Sequence, residues 1–99
     1  NFYMRDMLHD ACQDGRRNFA NFDLNNSNLS GLYVSRMNFI GASFENSDLS
    51  YASLERCHLK NTNFTGADLT EATLIYINNL DNSEYLVFWK PITCISLGI

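Results

Sequence analysis

Every fifth residue from Phe19 to Leu74 is Phe, Leu or Val: Phe19, Leu24, Leu29, Val34, Phe39, Phe44, Leu49, Leu54, Leu59, Phe64, Leu69 and Leu74. These types make up about a fifth of the chain, so chance gives such a run a probability on the order of 10⁻⁸, and the repeat must be treated as the fold. A period of five suits neither a helix, which repeats every ~3.6 residues, nor a plain strand, which alternates. It suits a chain that makes a square turn and regains its starting side every twenty residues. That spacing sorts the centres into four like columns: Phe19, Phe39 and Leu59; Leu24, Phe44 and Phe64; Leu29, Leu49 and Leu69; Val34, Leu54 and Leu74.

A second position repeats with the first. Two residues before the centres stand Ser27, Ala42, Ser47, Ala52, Cys57, Thr62, Ala67 and Ala72, with Arg17, Phe22, Leu32 and Met37 as early exceptions. One large and one small residue per five suit a narrow interior, which tolerates neither voids nor excess volume. Between them lie turn-forming residues such as Asn28, Asn38, Asp48, Asn63 and Asp68, whose side chains bond nearby backbone groups.

Ala67-Asp68-Leu69-Thr70-Glu71, Ser47-Asp48-Leu49-Ser50-Tyr51 and Thr62-Asn63-Phe64-Thr65-Gly66 resemble the A-(D/N)-L-x-x unit of pentapeptide-repeat proteins. The resemblance covers residues 17–79 and implies an all-β solenoid, a right-handed quadrilateral β-helix with four units to a coil. Twelve units then make about three coils. At a strand separation of about 4.8 Å such a tower stands only ~14 Å tall, and its ends need caps.

Residues 1–16 are expected to supply one cap. Met4, Leu8 and Ala11 share one helical face with Tyr3 and Met7 beside them, and Gly15 follows as a stop. Bulky Phe22, Leu32 and Met37 are expected to face its apolar side. Asn78 to Ser83 break the repeat, and an apolar segment follows within 80–99, read as a second cap or the start of a following domain. The run from Tyr85 to Ile99 is interrupted by Lys90 and Pro91 and is too short to span a membrane. A start at Asn1 without an initiator Met, and an abrupt stop at Ile99, are read as a fragment of a longer protein.

A net charge of −4 argues against a nucleic-acid partner, which would require a basic stripe. Cys12, Cys57 and Cys94 form an odd, scattered set. Cys57 falls in the small inner slot and is expected to be a buried free thiol; a reducing compartment fits best, with a Cys12–Cys94 disulfide left open. No metal-ligand spacing or phosphate-binding loop appears, so no metal or cofactor is expected. Asp48 and Asp68 should stack one coil apart, but Asp before the centre belongs to the repeat turn, which outweighs an acid–base role. Cys94 has apolar neighbours and reads as a structural thiol. No catalytic residues are assigned.

The outward positions carry the remaining information. Arg36, Arg56 and Tyr76 follow their centres on one side, Tyr33 lies on the same side, and Tyr51 turns the corner into it. Tyr and Arg dominate interface hot spots, although they also cover exposed sheets without any partner. This cluster is the candidate contact face of a non-catalytic module that binds a protein, with end stacking of copies also open. The Asn/Ser/Phe-rich repeats and apolar continuation resemble the β-helix module of SopA-like secreted bacterial effectors, which are HECT-like ubiquitin ligases. That resemblance implies contact with substrate or host proteins, in a bacterial cytoplasm or a host cytosol, with the catalytic lobes beyond Ile99. Similarity to topoisomerase-protecting pentapeptide proteins implies DNA mimicry instead, although those are long, strongly acidic dimers. The third reading is a structural spacer with no partner of its own.

Overall fold

The computed structural model describes residues 3–77 and 84–88. A single helix, α1 (Met4–Gln13), precedes the strands β1 (Tyr33–Ser35), β2 (Ser53–Cys57), β3 (Thr73–Ile77) and β4 (Glu84–Phe88). The strands form one sheet in the order β1-β2-β3-β4, parallel through β3 and antiparallel from β3 to β4. Val34 pairs with Leu54 and Leu54 with Leu74, so the chain regains this side every twenty residues.

Three further ladders of isolated parallel bridges repeat that offset. Asn18, Asn38 and His58 form one; Asp23, Ser43 and Asn63 the next; Asn28, Asp48 and Asp68 the third. Parallel pairing at a constant offset on four successive sides is a β-helix-type fold. Its backbone bonds run between circuits, as in Phe19 N–H to Asn38 O (2.8 Å) and Phe39 N–H to His58 O (2.9 Å).

All twelve centres are buried, with Phe19 the least so at 6% exposure. Phe44 and Phe64, one circuit apart, stack with centroids 5.2 Å apart and planes 3° from parallel. Phe39 meets Phe44 edge-on across the interior. Ala42, Ala52, Cys57, Ala67 and Ala72 fill the small slot and are also buried. The side chains of Asn18, Asp23, Asn28, Asn38, Asp48, Asn63 and Asp68 accept from the N–H two residues on, which fixes each turn locally.

At most corners the centre's carbonyl accepts from the N–H three residues on, as in Leu49 O to Ala52 N–H (3.0 Å). The residue two past the centre has positive φ, the mark of a type II turn. The corner after Leu24 is one that departs from this. Between Leu24 and Ser27 the Ser47 hydroxyl is interposed, accepting from Ser27 N–H at 3.1 Å and donating to Leu24 O at 2.7 Å.

The expected N-terminal helix is present, and its inner face lies on the core through buried Leu8 and Ala11, with Met4, Met7 and Cys12 packed beside them. It covers only part of the first circuit. α1 packs against β1, where Arg5 donates to Ser30 O (2.9 Å) and Arg17 to Ser35 O (3.0 Å). Leu32 and Met37, on either side of β1, are buried as expected. Phe22 is not: it lies across the circuit from β1, stays 44% exposed, and rests edge-on against Phe19 at 4.7 Å. The apolar segment expected over 80–99 lies outside the described residues apart from β4, and Cys94 lies outside them entirely.

Candidate interaction face

Of the residues singled out from the sequence, Tyr33 lies in β1, Arg56 in β2 and Tyr76 in β3, and Arg36 and Tyr51 stand at flanking corners. Tyr33 and Tyr51 are 55% and 67% exposed, and Arg36 and Arg56 are exposed at the corner that follows β1 and bends β2. Arg36 N–H donates to Glu55 O at 2.8 Å, so the two arginines occupy consecutive circuits of one corner. The ladder slips at Arg56: Glu55 pairs with Ile75 but Cys57 with Tyr76. Tyr76 therefore stands in β3 opposite Cys57 and departs from the register of the arginine column.

Tyr33 donates its phenolic hydrogen to Glu55 Oε2 at 3.3 Å. The negative charge of Glu55, reinforced by this bond, raises the Tyr33 pKa, so the phenol remains a donor. Tyr33 and Glu55 thus pair on the sheet, and Tyr51, Arg36 and Arg56 stand exposed at the corners that flank it.

The corners distinguish this side from the others. Positive φ recurs two residues past the centres from Phe19 to Leu69. At the corner of Asn21, Gly41 and Asn61, and at that of Asn26, Asn46 and Gly66, only Asn and Gly occupy it. These types tolerate the left-handed region. The two corners that flank the β1–β2–β3 side carry Tyr51 (φ 60°), Glu71 (56°), Arg36 (59°) and Arg56 (52°), with Gly31 the only compliant residue. Each bulky residue held there costs about 1 kcal/mol relative to Gly. Glu71 was not singled out from the sequence. The signal for it was its place two residues past a centre, where Asn and Gly stand at the other two corners.

Other candidates resolve into structure. Asp48 Oδ1 accepts from Ser50 N–H and Oγ, and Asp68 Oδ1 from Thr70 N–H and Oγ1, so both carboxylates hold turns. The Thr70 hydroxyl, then its amide, hold the Asp68 carboxyl below its ordinary value. Burial pushes the Cys57 thiol up to about 12, which keeps it protonated and unreactive. Cys12 is a free thiol whose Sγ accepts from Arg17 Nη1 at 3.0 Å. His9 is exposed on α1 and His58 lies in the Asn18–Asn38 ladder. Among the described residues no three His, Cys, Asp or Glu converge as metal ligands would, and no helix is long and apolar enough to cross a membrane.

The family model described as Pentapeptide repeats matches the sequence, in eight copies. The match covers residues 38–74. Neither a curated protein nor a solved structure matches the chain. The matched repeats include Tyr51, Arg56 and Glu71, whereas Tyr33 and Arg36 lie just before them on the same ladder.

Proposed function

We propose that residues 17–79 form a right-handed quadrilateral β-helix of three coils whose β1–β2–β3 side binds a partner protein without catalysing a reaction. The observation that carries this reading is the placement of strain. Two corners obey the conformational preference of the repeat, and the two that border this face violate it with Tyr51, Glu71, Arg36 and Arg56. Residues that disobey local backbone preference without stabilising the fold mark surfaces retained for another purpose. Tyr and Arg supply contact area and charge-assisted hydrogen bonds, and a rigid sheet holds them ready at little entropic cost. The free thiols Cys12 and Cys57 fit a reducing compartment, a bacterial cytoplasm or a host cytosol.

The test separates binding from folding. Replacing Arg36, Tyr51, Arg56 and Glu71 together by Asn removes the side chains and relieves the corners. The variant is expected to melt higher than the parent and to lose a partner that the parent captures from lysate. A topoisomerase among the captured proteins would point to DNA mimicry, and a host-cell protein to an effector. A partner retained by the relieved variant, or none captured by either chain, would leave a spacer as the better account.

A further inference from the structure

Among the described residues, α1 covers the N-terminal end of the β-helix beside β1, while Phe22 across the circuit stays exposed. Beside β1, α1 bonds the first-circuit backbone through Arg5 to Ser30 O and Cys12 Sγ to Ser35 O. At Phe22, an open groove of about 470 Å³ is lined by Met7, Arg16, Arg17, Asn18, Phe19 and Phe22. Phe22 occupies a slot that is small and buried in later circuits, yet here it is 44% exposed. The groove is apolar and basic, with no carboxylate in its lining, in a chain whose net charge is −4. Arg17 spends Nη1 on Ser35 O and Cys12 Sγ, whereas Arg16 makes only an exposed 3.4 Å contact with Asp14.

The outer face of α1 has the opposite character. Tyr3 caps the helix at 51% exposure, and Asp6 and Asp10 follow at three- and seven-residue intervals, both exposed and opposite the Leu8 face. Asp6 meets Arg5 at 3.9 Å and Asp10 meets His9 at 3.7 Å, both solvent-exposed contacts that constrain little. One aromatic ring and two carboxylates on this stripe thus match the exposed phenylalanine and two arginines of the groove.

We propose that this end is a self-association surface, in which two copies meet about a two-fold axis and each lays the Tyr3–Asp6–Asp10 stripe of α1 into the other's groove. The two helices then lie side by side in one layer between two coil ends. Tyr3 covers Phe22 of the partner copy, and Asp6 and Asp10 face Arg16. Antiparallel helices pack at about 8–10 Å, and the arrangement is isologous, so it closes at a dimer.

The experiment is sedimentation velocity on the full chain over a concentration series from micromolar to millimolar. The parent is expected to dimerise. Arg16→Asp and Asp10→Arg should each weaken the dimer by about tenfold or more, and the double variant should restore it, because the exchange re-forms the pair across the axis. Phe22→Ser should also weaken association. All these side chains are exposed or partly exposed, and unchanged melting of Arg16→Asp would show that folding is intact. A parent that stays monomeric throughout would overturn the proposal, as would a dimer indifferent to Arg16→Asp and Phe22→Ser.

Discussion

Replacing Ser47 by Ala tests the corner between Leu24 and Ser27 directly. The repeat prefers Ala at this slot, and the corners one circuit back from Ala52, Ala67 and Ala72 close through direct bonds, Leu32 N–H to Leu29 O (3.1 Å), Ser47 N–H to Phe44 O (3.1 Å) and Ala52 N–H to Leu49 O (3.0 Å). Pattern alone therefore predicts a neutral or stabilising change. The structure predicts the reverse. Ser47 is 2% exposed, and its hydroxyl satisfies both Ser27 N–H and Leu24 O, which do not bond each other. An unsatisfied buried group costs about 1–3 kcal/mol. Leu24 is fully buried and Ser27 only partly so, which places the carbonyl near the top of that range and the N–H near the bottom. The expected loss is about 2–4 kcal/mol, or roughly 8–25 °C in Tm for a domain of this size.

Thr62→Val supplies the control. Its hydroxyl also donates to a carbonyl one circuit back, Phe39 O at 2.8 Å, but that carbonyl additionally accepts from Ala42 N–H at 2.9 Å. Removing the Thr62 hydroxyl orphans nothing and should cost no more than about 1 kcal/mol. Urea or thermal melts of the two variants read the difference. If Ser47→Ala loses less than Thr62→Val, the corner re-closes on its own and the bridging role is refuted.

Two further outcomes follow from the corners and turns. Gly31 and Gly66 both have φ above 70°, but a Cβ meets nothing at Gly31 and collides with the Asn46 carboxamide at Gly66. Gly31→Ala should therefore cost about 1 kcal/mol for conformation alone and Gly66→Ala visibly more, with Asn46→Gly recovering only the excess in denaturant titrations. Asp68 titrates below its ordinary value of 3.8 in the fold, so its contribution is present above that pH and disappears as pH falls through and below it. Melts of Asp68→Asn between pH 6 and about pH 2 should show a shallower acid decline than the parent; an identical decline would mean that the Thr70 bonds do not distinguish the charged carboxylate.

The sequence was most informative where one force dominates. The columns of Leu29, Leu49 and Leu69, and of Leu24, Phe44 and Phe64, are buried as their spacing requires, because apolar burial at a fixed period leaves one arrangement. The Met4–Leu8–Ala11 face was legible for the same reason. Phe22 was misjudged because periodicity gives the inner face of a cap but not how far it reaches, and α1 stops over β1. The Ser47 bridge was invisible because Ser and Ala are equally small, and the difference lies in which backbone groups meet. Of the face residues, Tyr33, Arg36, Tyr51 and Arg56 were legible as exposed types. The strain that singles out Arg36, Tyr51 and Arg56 depends on φ, which residue identity alone does not give.

A constant offset of twenty residues also sets a rule for changes in chain length. Removing residues 38–57 would delete one storey and leave Val34 to pair with Leu74, so every column above would keep its side. Inserting or deleting five residues between Arg36 and Tyr51 would preserve the alternation of buried and exposed positions but move everything downstream to a neighbouring ladder. The core would still close, since the columns differ only among Phe, Leu and Val. The outer surface would not survive in the same way, for Tyr33 and Arg36 would then stand on a different wall from Tyr51 and Arg56. Solubility would be a poor guide to such a change, because a frame error invisible to folding would dismantle the face.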